Sequence, residues 1–139
     1  MPAIVHAPAP VFTPVEILKT AVRWARAQGW TVRLGSFGVV PVSTHGGRRW
    51  ERDEHDHEPG ANPLGCLMLL SQPPAIDPER AAAQALGVDL CWIAGFINGA
   101  GLEPKDSAWT ASLKRRNYLH GYETGANFRI WFLSTGNAS

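Results

Sequence analysis

The sequence predicts an α+β fold, one β-hairpin packed on a mainly helical body, and three observations carry that reading. Apolar residues recur at helical spacing soon after a proline-rich start. Two short β-type runs follow a glycine. The second half of the chain breaks into glycine-punctuated apolar segments of helix length.

Taken in order, residues 1–12 read as an extended arm, because Pro2, Pro8 and Pro10 favour polyproline geometry over helix. Thr13-Pro14-Val15-Glu16 supplies a capping box with proline at the first helical position. Ile17, Leu18, Ala21, Val22, Trp24 and Ala25 then share a helical face as far as the Gly29 stop, which predicts a helix over 14–28. The runs Trp30–Leu34 and Phe37–Val42, with a Gly35-Ser36 turn between them, predict a hairpin over about 30–42. Pro41 cannot donate to a ladder and marks an edge. Residues 43–61 are polar, glycine-punctuated and dense in charge, and read as an exposed loop.

Asn62-Pro63 opens an apolar helix to about Leu70, hydrophobic all round and hence buried. Asp77-Pro78-Glu79 caps a helix over Ala81–Leu86 that Gly87 closes, and Asp89 caps the next, Leu90 to about Asn98. The last third reads as helix, with Leu119, Tyr122, Ala126, Ile130 and Leu133 on an apolar face that Phe128, Trp131 and Phe132 widen, although Asn127–Leu133 also alternates as a strand would. Residues 135–139 form a tail.

With 139 residues, 45% of them hydrophobic, the chain suits one core, expected over 13–134. Thirteen Lys+Arg against twelve Asp+Glu leave a formal charge of +1, which argues against broad capture of nucleic acid or an anionic membrane. The two cysteines, Cys66 and Cys91, sit in apolar runs without metal-ligand spacing and read as buried thiols. The N-terminal segment lacks the basic start of a signal peptide, and no apolar run approaches the ~20 residues that span a bilayer. The expectation is a cytoplasmic protein without cofactor or membrane partner. No Gly-x-Ser-x-Gly, P-loop or dinucleotide motif is present.

Residues 81–99 have the pattern of a helix-turn-helix. Gly87 stands at the turn, Ala83 at the small position, and Leu86, Val88, Ile93 and Phe96 at the buried positions. The outward positions of the second helix suit DNA poorly, since only Asn98 among Asp89, Leu90, Cys91, Ala94, Gly95 and Asn98 reads base edges well. A DNA-binding alternative would rest on Asn98 with Lys114, Arg115 and Arg116. Gly95 and Gly99, and likewise Gly121 and Gly125, lie one helical turn apart. Glycine inside a helix costs ~1 kcal/mol relative to alanine and marks close backbone approach or a helix end, and Gly99 reads equally as a simple C-cap. If the glycines are contact points, the second helix crosses the C-terminal helix and is covered by it.

The segments Leu86-Gly-Val, Trp92-Ile-Ala-Gly-Phe-Ile-Asn-Gly and Tyr118-Leu-His-Gly-Tyr-Glu-Thr-Gly resemble, over about 82–129, small bacterial and phage-encoded proteins of unassigned function. That resemblance implies no activity. It favours a phage or prophage setting, in which the chain would modulate a host complex.

The charged stretch holds most of the polar chemistry. Trp50 among Arg48, Arg49 and Arg52 is the residue mix that protein interfaces favour, and it makes a protein partner the leading expectation. His55 and His57, at i and i+2, would share one side of an extended segment and form the ligand pair of an alternative metal-dependent enzyme.

Overall fold

A computed structural model of the chain describes residues 12–55 and 58–135. Its elements are α1 (Pro14–Ala27), β1 (Val39–Thr44), β2 (Gly47–Arg52), α2 (Pro63–Ser71), α3 (Pro78–Leu86), α4 (Leu90–Ala100), α5 (Ser107–Thr110) and α6 (Arg115–Thr135). The fold is α+β, an antiparallel hairpin on a helical body. The proline-rich arm lies outside the described residues except for Phe12, as does the tail beyond Thr135.

α1 begins as the capping box dictates. The Thr13 hydroxyl accepts the Glu16 N–H at 3.2 Å, and the Glu16 carboxylate accepts the Thr13 N–H at 3.3 Å. Leu18, Ala21, Val22 and Ala25 are fully buried, and the helix packs chiefly on α2. Asn62 caps α2: its side-chain oxygen accepts the Gly65 N–H at 2.7 Å, and its amide donates to the Gly35 carbonyl at 2.9 Å. Every residue from Pro63 to Leu69 is buried. A helix apolar all round must be enclosed on all sides, and α1, α3 and both strands supply the enclosure.

The hairpin lies later in the chain than the 30–42 expected. Residues 30–34 contribute one parallel bridge, Val32 to Ala61. The Gly35-Ser36 bend is gripped by the Arg33 guanidinium, which donates to the Ser36 and Glu58 carbonyls at 3.0 Å each. β1 instead pairs with β2 across His45-Gly46, in a register running from Val39–Arg52 to Thr44–Gly47. The second strand is thus drawn from the stretch read as an exposed loop over 43–61. A two-stranded ribbon with one wet face needs few apolar side chains, and in β2 Trp50 alone is buried, among charged neighbours that stay outside. Pro41 removes no ladder bond, because it faces Trp50, whose N–H turns away from β1 to the Gln72 side chain.

Asp77 caps α3 by accepting the Arg80 N–H at 3.0 Å, and the helix starts at Pro78 rather than Ala81. Gly87 closes it with φ 66°. Asp89 occupies the N-cap position of α4 without capping it; its carboxylate accepts from Asn117 instead.

Residues 127–133 continue α6 and are not a strand. The buried stripe of α6 is Tyr118, Gly121, Gly125, Phe128 and Phe132. Of the expected face, Phe128 and Phe132 are buried, whereas Ile130 and Leu133 are 68% and 55% exposed. The cause is the crossing with α4, the most extensive helix contact in the molecule. A methyl group at Gly95 or Gly99 would overlap the Tyr118 or Tyr122 carbonyl oxygen; one at Gly121 or Gly125 would overlap that of Trp92 or Phe96. Backbones this close gain dispersion contacts along their whole length, which outweighs burial of the leucine and isoleucine one position round. Among the described residues no single helix is long and apolar enough to cross a membrane, and α3 and α4, which together reach that composition, meet at a bend of 102°.

Candidate functional site

Gly29 turns the chain out of α1 with φ 78°, so that Trp30 folds back on Trp24 edge to face, ring centroids 5.0 Å apart. The hairpin stands opposite, and between these walls lies a cleft of about 580 Å³, within the size range of ligand-binding clefts. Trp24 and Trp30 provide its aromatic surface above the buried Trp50, while Val40, Val42 and Leu69 add aliphatic surface. The rim carries both signs of charge. Arg49 pairs with Glu51 at 3.1 Å, the Arg52 guanidinium lies 4.6 Å from the centre of the Trp30 ring, and Asp53, Glu54 and His55 complete the edge.

The partner-binding set expected in this region is divided by the structure. Arg49 and Arg52 line the cleft, whereas Arg48 is exposed on β2 and is not part of its wall. Trp50 is only 1% exposed and is not a protruding anchor. Its indole N–H donates to the Pro73 carbonyl at 2.8 Å, and the Gln72 side chain takes both its backbone N–H and its carbonyl, at 2.8 and 3.0 Å. Trp50 is therefore the floor of the cleft and the fastening of β2 to the end of α2. A lone tryptophan among arginines reads as exposed only while its segment is taken for a loop; alternation in a strand turns it inward.

The DNA set is not brought onto one groove-facing helix. The bend between α3 and α4 lies within the ~90–120° of a helix-turn-helix, so the geometry of the motif is present. Its second helix is covered by α6, with Trp92, Ile93, Phe96 and both its glycines buried. The Asn98 amide donates to the Tyr118 hydroxyl at 2.7 Å. Lys114, Arg115 and Arg116 are exposed around the start of α6, an element that is not part of the motif.

The same contacts explain the tyrosine-glycine segment. Tyr118 is fully buried, stacks on Trp109 and accepts the Asp106 N–H at 2.8 Å as well as the Asn98 amide, so one side chain ties α4, α5 and α6 together. Tyr122 donates to the Glu103 carbonyl at 2.6 Å. These residues are spent on packing.

Of the metal pair, His55 sits exposed on the rim, its backbone N–H bound to the Asp53 carboxylate at 3.1 Å, and His57 lies outside the described residues. Among the described residues no group of three His, Cys, Asp or Glu side chains is placed to hold a metal. Cys66 and Cys91 are buried free thiols. Burial pushes the Cys66 thiol up to about 12, against the pull of Arg26 and of its own backbone N–H.

The sequence reading missed Trp24, Trp30 and Gln72 as site residues. Both tryptophans were assigned to regular elements, and their signal was the Gly29 between them, since a helix stop flanked by two tryptophans brings the rings together. Gln72 carried no signal, because its role depends on the left-handed φ of 47° that turns its amide onto β2. The chain matches no protein-family model, no curated protein and no solved structure at a significant level.

Proposed function

We propose that this chain is a non-catalytic interaction domain that binds an extended segment of a protein partner in the tryptophan-walled cleft. The observation that carries the reading is the cleft itself, with the partly exposed indoles of Trp24 and Trp30 over the buried Trp50 and beneath a rim of both charges. Indole surfaces give large contact area at little cost in side-chain entropy, which is why tryptophan and arginine dominate binding hot spots. Aromatic-lined grooves of this kind suit proline-bearing, extended peptides, whose polyproline geometry is already ordered before binding. The mixed rim fixes orientation by pairing with flanking charges and by excluding peptides of the wrong pattern.

A peptide-display selection on the full chain tests this. Proline- and aromatic-bearing sequences are expected to be enriched, and Trp30→Ala or Arg52→Ala to weaken their binding about thirtyfold, the size of a ~2 kcal/mol hot spot. Trp131→Ala, on the far side of α1, should bind as the parent does. Peptides that bind Trp30→Ala undiminished would place the interface elsewhere.

A further inference from the structure

We propose that the cations Lys19, Arg23 and Arg26, gathered about the Trp131 ring, form a binding site for a phosphorylated side chain of a protein partner. The site lies on the other flank of α1 from the cleft and does not depend on what the cleft holds.

Lys19, Arg23 and Arg26 follow one another at i, i+4 and i+7 and so share one face of α1. Their charged ends lie 5.3, 5.4 and 5.9 Å from the centre of the Trp131 ring of α6, each within the reach of a cation–π contact. The ring is held in turn by Phe128, 5.2 Å away. Arg26 is fixed by the Phe132 ring and by the Thr135 hydroxyl, which accepts its N–H at 3.2 Å. Arg23 is exposed, and Lys19 and Arg26 are half-buried. Like charges at this helical spacing repel one another. Among the described residues no carboxylate lies within ion-pair distance of any of the three. Glu16, the acid of α1, turns its carboxylate to the Thr13 N–H instead. Trp131 thus draws three positive charges to one point with no counter-charge beside them.

The charge pattern selects the occupant. A phosphoryl group on serine or threonine concentrates a charge of about −1.5 to −2 and three acceptor oxygens on one centre, which complements cations converging on a point. Arginine clusters read such groups because the guanidinium fork bonds them through two parallel N–H donors. A nucleic-acid strand fits less well, since it spreads its phosphates along a track and stacks bases on open aromatic faces, whereas the Trp131 ring is already taken up by cations. Beside the cluster a hollow of about 220 Å³ opens between α1 and α6, lined by Val15, Lys19, Thr124, Asn127, Phe128 and Trp131. It is smaller than the ~300–1,000 Å³ of small-molecule sites and suits a single side chain. Val15 and Trp131 give it apolar walls over the buried Phe128, so the residue next to the phosphorylated one is apolar.

The probes are a short peptide with phosphoserine between two leucines, its unphosphorylated twin, inorganic phosphate and a short oligothymidylate. Each is titrated onto the full chain at physiological salt and followed by the indole N–H signals, of which Trp131 should move and Trp30 should not. The phosphopeptide is expected to bind about tenfold more tightly than its twin and than phosphate. Arg23→Gln, at an exposed position, and Lys19→Gln should each weaken it about five- to tenfold, and Arg52→Gln on the cleft rim should leave it unchanged. Equal binding of peptide and twin, or an Arg23→Gln chain that binds as the parent does, overturns the proposal. Phosphate as tight as the phosphopeptide would mean an adventitious ion only and overturns a docked partner. Oligothymidylate that moves Trp131 at lower concentration than the phosphopeptide would assign the face to nucleic acid and overturns it as well. A phosphopeptide that moves Trp30 and spares Trp131 overturns this site while leaving the cleft as a binding site.

Discussion

Single side chains in this protein hold several elements at once, and Cys66 shows how burial alone sets a chemical property. The thiol is enclosed in α2 with 1% exposure, and desolvation of its anion is what carries the pKa to about 12. The sign of the consequence follows from linkage. Above the ordinary thiol value near 9.0 the unfolded chain releases a proton that the folded chain keeps. Stability contributed by the thiol is therefore whole below pH 9 and declines by on the order of 1.4 kcal/mol per unit as the pH climbs toward 12. Tyrosines and lysines titrate in the same range, so the comparison is between the parent and Cys66→Ala. In urea unfolding from pH 8 to 11 the parent should start the more stable of the two and lose its advantage as the pH rises. A gap that stays constant would mean that the folded chain does not hold the Cys66 proton.

At the scale of elements, the α4–α6 crossing decides which faces are inside. Gly95→Leu or Gly121→Leu forces side-chain carbon into a neighbouring backbone carbonyl, an overpacking that should cost about 1–3 kcal/mol beyond any propensity gain. Ile130→Ala and Leu133→Ala, on the face that periodicity singles out, should change stability by no more than about 0.5 kcal/mol. Thermal midpoints of the four variants check both statements, and a reversed order would return the buried face to the leucine stripe. The contrast also shows what was legible in the sequence. Caps and stops follow local rules, so Thr13, Asn62, Asp77, Gly29 and Gly87 all mark helix ends where the structure has them. Gly95, Gly121 and Gly125 pointed to a crossing because no helix end accounts for them, while Gly99 read equally as a C-cap. The hairpin was misplaced because its second strand buries one side chain among charges, a pattern that hydropathy cannot tell from a loop. The cleft was half legible: Arg49 and Arg52 stood out by type, while Trp24, Trp30 and Gln72 acquire their role only when the hairpin closes over α2.

For the molecule as a whole, α2 is the centre on which α1, α3 and the hairpin all rest, and Trp50 is the joint between that centre and the cleft. Its indole fills the seam, its ring nitrogen reaches Pro73, and its backbone is matched to Gln72. Removing the indole leaves both a cavity and an unpaired carbonyl, and truncation of a buried tryptophan costs about 3–5 kcal/mol. Against the 5–15 kcal/mol that keeps a domain folded, this is a large fraction. At roughly 4 °C per kcal/mol it lowers the midpoint by about 12–20 °C. Trp50→Ala should therefore lose peptide binding by loosening the hairpin, whereas Trp30→Ala and Arg52→Ala should lose it with the midpoint close to the parent's. Trp50→Phe separates the two parts of the Trp50 effect, since it keeps most of the volume and gives up the bond to Pro73. It should recover most of the midpoint and, with the floor of the cleft restored, most of the binding. A Trp50→Ala chain as stable as the parent and still unable to bind would make Trp50 a contact in its own right and not the joint that holds the cleft open.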